Sequence, residues 1–208
     1  MDGAHKPHEE RSRPDLRDAI LRASLEIGSE HGEDGLTMRA IASRLGLSVT
    51  ALYLHYDGKP AILRALRLWG AEMLAHELAP AHEHGDPVTR LLDESVRYVE
   101  WAISNPWLYR LMFQEEEIDW RSFTDAERER MMEPNLRTHR AFQQAVEQGQ
   151  FRRDVDIETG PFLMWAANHG LATLILGGRI SERHPVFPVR DQKDFILAFA
   201  RGVVRGFA

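Results

Sequence analysis

The segment GLSVTALYLHYDGK, residues 46–59, combines two tyrosines, a histidine and small hydroxyls with a single lysine. Hydroxyls and neutral ring donors of this kind can hydrogen-bond to phosphate oxygens and to the edges of DNA bases. The alternative is an ordinary amphipathic helix whose polar face is solvated. Periodicity alone leaves both interpretations open, so the surrounding elements must decide between them.

Several residues have the side-chain chemistry to contact DNA. Thr50 can hydrogen-bond a base edge, and Ala51 can contact a thymine methyl group. Tyr53 and His55 can donate to phosphates, and Arg39 can reach a phosphate or a guanine edge. The candidates from side-chain chemistry are Thr37, Arg39, Ser48, Thr50, Ala51, Tyr53, His55 and Lys59.

Charge is distributed unevenly along this acidic chain. The net charge is −6, yet residues 36–64 carry four basic residues and one acidic residue. Residues 65–208 carry 17 basic and 22 acidic residues. A local positive patch can attract a polyanion, while the acidic remainder discourages non-specific adhesion to DNA.

Apolar residues recur at helical spacing almost throughout the chain, and strand-like alternation is absent. On the first helix this spacing predicts one apolar stripe of Leu16, Ile20, Ala23 and Ile27. We therefore predict an all-α fold of about nine helices, with a small N-terminal domain and a larger C-terminal helical bundle. Glycines in HGEDG should stop the first helix, and Pro134 should kink or break a long one. Helices are expected at 15–31, 37–45, 48–57, 60–79, about 91–103, from 105, 124–149, 156–177 and 191–207.

The second and third helices are joined only by LGLS, residues 45–48. Thr37 and Ser48 are suitable N-cap residues, and Gly46 is a suitable helix terminator. So short a connection requires the two helices to cross steeply, with Leu52 among the residues that fill the angle. This pattern is typical of a helix-turn-helix unit, whose second helix enters the DNA major groove.

At these residues the chain resembles a known family. The stretch LTMRAIASRLGLSVTALYLHYDGKPAIL, with the preceding helix, looks like the DNA-binding domain of the TetR (tetracycline-repressor) family of bacterial transcription regulators. The specific resemblance covers residues 14–74. It implies a homodimer that holds two such units against a palindromic operator in double-stranded DNA.

The resemblance also assigns roles to individual positions. It implies that Arg39, Val49, Thr50, Ala51 and Tyr53 face the bases. It implies phosphate contacts for Thr37, Arg44, Tyr53, His55 and Lys59. The base-facing positions are mostly small or apolar, so specificity is expected to rest on few hydrogen bonds, methyl contacts and DNA shape.

The C-terminal half contains WAANHGLATLILGG, which resembles the Trp-x-x-x-His-Gly segment of one group of TetR-type C-terminal domains. Trp165 and His169 lie four residues apart, on one face of a helix. They can line a ligand cavity or simply belong to the core. An apolar pocket with few polar anchors is the usual form of a small-molecule site, so we expect a hydrophobic or amphipathic effector. The candidate pocket residues are Trp101, Trp107, Met112, Phe113, Phe142, Trp165, Asn168 and His169.

The last two helices are expected to form a dimer interface. Phe195, Phe199 and Val203 make a stripe at four-residue spacing, and Gly170 permits close approach of helices. Two such helices from each subunit would form a four-helix interface with two-fold symmetry. The alternative is packing within one chain.

Other classes of function have little support in the sequence. There are no cysteines, and the histidines at 76, 82 and 84 cluster near a linker without a third fixed ligand, so no metal and no cofactor is expected. No phosphate-binding loop, dinucleotide fingerprint or nucleophile elbow appears, so an enzyme is not expected. No apolar run is long enough for a membrane span, and we expect a cytoplasmic protein.

We therefore expect a ligand-responsive transcriptional regulator, with a repressor as the first hypothesis. The expected organisation is a disordered tail at 1–13, a DNA-binding domain at 14–62 and a ligand-binding and dimerisation domain at 63–208. The rivals are a small-molecule-binding or protein-interaction module that does not read DNA, and an all-α enzyme that uses His169.

Overall fold

The computed structural model describes residues 16–113, 121, 123–186 and 188–208. Within these residues the chain is all-helical, as predicted, and contains no strand. A short 3₁₀-helix, Ala79–Glu83, follows the fourth α-helix. The α-helices are α1 (Leu16–Gly35), α2 (Met38–Leu45), α3 (Val49–Tyr53), α4 (Gly58–Leu78), α5 (Pro87–Ser104), α6 (Pro106–Phe113), α7 (Asp125–Glu147), α8 (Gly160–Leu176) and α9 (Gln192–Arg205). The expected disordered tail lies outside the described residues.

The helices form two compact units, divided between Ala65 and Leu66. In the first unit, α2 packs on both α1 and α3. The core of this unit consists of side chains that are almost completely buried, and burying each one stabilises the fold by roughly 1.5–3 kcal/mol. The stripe predicted on α1 contributes to it through Ile20, Ala23 and Ile27, whereas Leu16 is half-buried. The other members include Leu36, Ile41, Leu52 and Ile62.

The turn between α2 and α3 depends on Gly46. Its φ of 66° and ψ of 30° lie in the left-handed region, which glycine adopts without steric cost. The Leu47 N–H then donates to the Ala42 carbonyl at 2.9 Å, which satisfies an acceptor at the end of α2. A Cβ atom at Gly46 would meet nothing within 4 Å in the described part of the chain, so backbone conformation, not space, selects glycine.

In the second unit, α5 is the central helix. It contacts α6, α7, α8, α9 and the 3₁₀-helix. One apolar core cluster lies where α5, α7, α8 and α9 meet. Gly160 allows α8 to start close to this cluster, because a Cβ there would lie 2.9 Å from the Phe142 ring. The cluster comprises Leu91, Ala141, Phe142, Ala145, Phe151, Met164 and Val204.

Three helix ends differ from the sequence-based expectation. The expected stop in HGEDG is a local break, since Gly32 leaves helical geometry at φ 69° but α1 resumes to Gly35. Helix α3 was predicted to continue to Asp57-Gly58 but ends at Tyr53, because the N–H groups of His55 and Tyr56 both donate to the Leu52 carbonyl. This turn buries the Tyr56 ring. Helix α8 begins at Gly160, after a turn closed by the Asp156 carboxylate.

Helix α7 is not broken by Pro134. It runs without interruption from Asp125 to Glu147. A proline inside a helix costs about 3 kcal/mol or more, so other interactions must offset it. A capping box between Thr124 and Glu127 fixes the start of the helix, and Thr138 and Phe142 are buried beyond the proline.

Candidate nucleic-acid interface and buried polar cluster

Helices α2 and α3 present one face to the core and one to solvent. Ile41 and Ala42 of α2 and Leu52 of α3 are buried in the first unit. The residues predicted to contact DNA lie mostly on the outer side of these elements. Those exposed are Thr37, Arg39, Arg44, Ser48, Thr50 and Tyr53, and those half-buried are Val49, Ala51, His55 and Lys59.

Two of the predicted hydroxyls also cap helices. The Thr37 oxygen accepts from the Ala40 N–H at 3.1 Å, and the Ser48 oxygen accepts from the Ala51 N–H at 3.2 Å. Each hydroxyl oxygen is occupied as an acceptor, while its O–H remains able to donate to a phosphate. The same residues can therefore fix the two helices and contact a DNA backbone.

Two of the three predicted cations, Arg44 and Lys59, already have partners within the first unit. Arg44 bonds to Glu30 at 2.7 Å and Glu26 at 3.1 Å, and its hydrogen bond lowers the pKa of the Glu30 carboxyl. Lys59 donates to the Glu33 carbonyl at 2.7 Å. Both therefore tie α1 to its neighbours within the first unit.

Arg39 differs from these two cations. It is exposed, and within the described part of the chain it forms no ion pair. Its guanidinium can approach a phosphate without first releasing a carboxylate, which makes it the freest cation of the predicted set.

Leu54 is a surface feature that the sequence-based reasoning missed. Its side chain is 82% exposed, next to Tyr53 at 54%. Leu52 and Tyr56 are both buried, and this spacing turns the residues between them outward. The sequence feature that could have revealed it is a leucine at an outward position, between Tyr53 and Tyr56. It can contact thymine methyl groups or the sugar backbone.

A second group of side chains, the aromatic cluster, lies in the C-terminal unit. It consists of Tyr98, Tyr109, Phe113, Trp165 and His169. The Trp165 and His169 rings stack with centroids 5.2 Å apart, and Phe113 lies 5.7 Å from His169. The sequence predicted Phe113, Trp165 and His169 together, but not the two tyrosines.

Hydrogen bonds link the polar members of this cluster. The Tyr109 hydroxyl and His169 Nδ1 lie 2.6 Å apart, and the Tyr98 O–H lies 3.5 Å from the Tyr109 oxygen. Burial lowers the pKa of His169 and raises the pKa of both tyrosines.

The other predicted pocket residues are distributed differently. Trp101, Trp107 and Met112 are buried. Asn168 is also buried and donates through Nδ2 to Ser95 Oγ at 3.1 Å. Phe142 belongs to the apolar core cluster, where its ring packs against Phe151 and Phe207.

Glu94 of α5 is a buried carboxyl that the sequence-based reasoning missed. It follows Leu91 on the inward face of the helix, and its side chain is 7% exposed. One oxygen, Oε1, accepts from the Thr138 hydroxyl of α7, and the other, Oε2, has no partner within the described residues. Burial raises the pKa of this carboxyl to about 7.

The predicted dimer residues are partly used within the chain. Phe195, Phe199, Val203 and Gly170 are half-buried, and Val203 packs against the apolar core cluster. Three large apolar side chains of α8 are more exposed than these, namely Phe162 at 63%, Leu163 at 58% and Leu174 at 46%.

Two further properties concern the described residues only. They contain no group of three or more histidine, aspartate or glutamate side chains placed to hold a metal ion. None of their helices combines the length and apolar character needed to cross a membrane.

Two protein-family models match the chain. Residues 20–66 match the family described as bacterial regulatory proteins, tetR family. Residues 91–197, just over half of the chain, match the tetracyclin repressor-like C-terminal domain. The chain belongs to the TetR family. Both matches confirm the predicted resemblance to the TetR family, while the Trp-x-x-x-His-Gly subgroup stays a prediction.

TetR-family relatives resemble the N-terminal part of the chain. The tetracycline repressor protein class A from transposon 1721 of Escherichia coli is 44% identical over 68 residues, which are 33% of this chain and 28% of the repressor. The uncharacterized HTH-type transcriptional regulator YobS of Bacillus subtilis is 28% identical over 90 residues, which are 43% of this chain and 47% of that protein. The chain thus aligns with less than half the length of these relatives.

Solved structures share the TetR fold over nearly the whole chain. A protein of unknown function from Rhodococcus sp. RHA1 has a TM-score of 0.79 at 24% identity and covers 96% of this chain and 99% of its own. The TetR family transcriptional regulator PfmR from Thermus thermophilus has a TM-score of 0.64 at 22% identity, covering 89% and 97%.

The burial of Glu94 predicts a pH-dependent stability difference. Its pKa is raised from an ordinary 4.5 to about 7, so the folded protein prefers the protonated carboxyl. The protonated carboxyl contributes its full share to the free energy of unfolding below pH 4.5, and this contribution is lost as the pH rises through 7. We expect Glu94→Gln to exceed the wild type at pH 8 by up to about 3 kcal/mol in free energy of unfolding, with a smaller difference at pH 5.

Urea denaturation of both proteins between pH 5 and pH 8 measures this difference. Titrations common to the two proteins cancel in the comparison. Glu129→Gln removes an exposed carboxyl from α7 and is the matched control. A Glu94→Gln difference that stayed constant across this range would show that the carboxyl is not buried as described.

Proposed function

We propose that the chain is a ligand-responsive, DNA-binding transcriptional regulator that acts as a repressor. It binds a palindromic operator as a homodimer and is released by a hydrophobic or amphipathic small molecule. The proposal that the protein binds DNA rests on one observation, the exposed outer face of α2 and α3 in a member of the TetR family. The protein would act in the cytoplasm, where operator DNA is found.

The outer face of α2 and α3 has the chemistry of a DNA-reading surface. Thr50 and Tyr53 supply exposed hydroxyls, Leu54 supplies an exposed apolar group, and Arg39 supplies a cation without an ion pair among the described residues. Hydroxyls and Arg39 suit phosphates and base edges, and Leu54 with Ala51 suits thymine methyls. Few charges take part, so sequence preference would depend strongly on methyl contacts and DNA shape.

The two units suit separate roles. We assign DNA binding to residues 14–62 and ligand binding with dimerisation to residues 63–208. Helix α4 continues from one unit into the other and is the direct covalent route between them. A ligand that favours one arrangement of α4 would need a coupling free energy of about 1–3 kcal/mol to weaken operator binding 5- to 150-fold.

The surface of α8 supports a homodimer. No charged residue occurs in its 17 positions, yet Phe162, Leu163 and Leu174 are exposed. A Cβ atom at Gly170 or at Gly202 of α9 would meet nothing within 4 Å among the described residues, so packing among them does not require glycine at either position. A second copy packed closely against these helices would require glycine at these positions, because glycine permits the closest approach of two helices.

Arg39→Ala tests the DNA-binding part. The operator is first selected from random double-stranded DNA, and binding to it is then measured from 50 to 300 mM salt. Loss of one phosphate contact from each subunit should weaken binding and lower the slope of log K against log salt by roughly 0.9 per contact. Fluorescence anisotropy with labelled operator measures both quantities.

Arg153→Ala is the matched control, because it removes an exposed arginine from the C-terminal unit. It should leave both the affinity and the salt slope unchanged. Equal binding by the wild type and by Arg39→Ala at every salt concentration would reject the assigned DNA face. Failure of the selection to enrich any sequence would favour a helical module that does not read DNA.

Gly170→Lys tests the homodimer. The wild type should elute with twice the chain mass of 23.9 kDa. The variant should elute as a single chain, because a long charged side chain would project into the proposed interface. Lysine favours the helix over glycine by up to about 1 kcal/mol, so the helical content should be retained.

Light scattering coupled to gel filtration measures these masses, and circular dichroism measures helical content. Lys193 already provides an exposed lysine at the start of α9, so Asp154→Lys in the loop before α8 serves as the charge control. A wild-type mass of one chain, or a dimeric Gly170→Lys protein, would contradict the proposed interface.

A further inference from the structure

Polar side chains from three adjoining helices lie inside the C-terminal unit. Helix α5 contributes Glu94 and Tyr98, α7 contributes Thr138, and α8 contributes Asn168 and His169. All are buried or half-buried, and the helices that carry them contact one another. Burying polar groups is costly unless each finds a partner, so the hydrogen bonds they leave unmade are informative.

Asn168 leaves one acceptor without a partner. Ser95 Oγ donates its only hydrogen to the Leu91 carbonyl at 2.9 Å, so toward Asn168 this oxygen can only accept. The amide NH₂ of Asn168 must therefore face Ser95, where Nδ2 lies 3.1 Å from Oγ. The remaining atom, Oδ1, is buried and has no partner among the described residues.

Glu94 leaves a second acceptor without a partner. The Thr138 hydroxyl occupies Oε1, while Oε2 is buried and unpaired within the described residues. Neither oxygen is paired there with a basic side chain, and α8, packed against α5, contains no charged residue. A buried carboxylate without a counter-charge is unfavourable, and a cation that reached it would relieve this cost.

Aromatic rings connect these acceptors to the surface. Trp165 and Phe113 are half-buried, their ring centroids lie 6.2 Å apart, and Trp165 in turn stacks on His169. His169 Nδ1 lies 3.3 Å from the Tyr98 hydroxyl, and Tyr98 is one helical turn from Glu94. These rings contact one another. The half-buried Trp165 and Phe113 rings are the groups that a ligand would displace to reach the two acceptors.

We propose that Glu94 and Asn168 are the polar anchors of the effector site, and that its ligand is an organic amine. The protonated nitrogen donates to Glu94 Oε2, Asn168 Oδ1 is the second acceptor, and the apolar body of the ligand packs on the Trp165 ring. Aromatic faces attract cations as well as apolar groups, so the same walls suit both parts of such a ligand. This inference rests on the proposed ligand response and adds the chemical class of the ligand.

The test compares primary amines with alcohols of the same shape. Benzylamine, 1-naphthylmethylamine and n-octylamine, together with benzyl alcohol, 1-naphthylmethanol and n-octanol, are titrated into the full-length protein by isothermal calorimetry. At least one amine should bind ten or more times as tightly as its alcohol. Glu94→Gln should lose about 10- to 100-fold in affinity for that amine, because a hydrogen bond to a charged group is lost.

Glu129→Gln is the control and should bind the amine as the wild type does, since its carboxyl is exposed on α7. Asn168→Leu provides a second anchor variant and should also weaken the amine. Amines that bind no better than their alcohols, or equal affinity for wild type and Glu94→Gln, would overturn the proposal. Operator binding measured in parallel separates the two ideas, because it can persist when amine binding fails.

Discussion

The left-handed turn at Gly46 is the constraint on which the N-terminal unit depends. It joins α2 to α3 through only the three residues 46–48, and beyond this turn Leu52 lies in the core while Tyr53 and Leu54 remain outside. A longer connection would let α3 shift along α2 and change which side chains face outward. The surface proposed for DNA is therefore specified by a backbone conformation as much as by the residues displayed on it.

In the C-terminal unit, α5 combines support and chemistry in one helix. Leu91 anchors the apolar core cluster, while Glu94, Ser95 and Tyr98 place polar atoms among α7 and α8. A core built for stability alone would be better served by apolar groups at these positions. The retained polarity is consistent with the effector role that we assign to this unit.

Sequence reasoning recovered the features that local chemistry determines. Thr37 and Ser48 cap their helices, Gly46 ends α2, and Ile20 and Ile27 form a buried stripe, because caps, turns and periodicity act over a few residues. The early end of α3 and the uninterrupted α7 were not predictable in this way. They depend on where Tyr56 and Phe142 find burial, which involves distant parts of the chain.

The candidate sites show the same division. The spacing of Trp165 and His169 predicts that they share a face, but the partners of Arg44 and Lys59 come from α1 and follow only from the fold. Glu94 escaped notice because a carboxyl at an inward position looks like a surface residue when the partner helices are unknown. Its neighbour Thr138 is 44 residues away.

The absence of charge along α8 has a separate consequence for the life of the chain in the cell. Without the second copy that we propose to cover Phe162, Leu163 and Leu174, a newly made subunit displays an apolar surface of the kind that chaperones and proteases recognise. In the proposed homodimer, assembly would then also set how long each subunit survives.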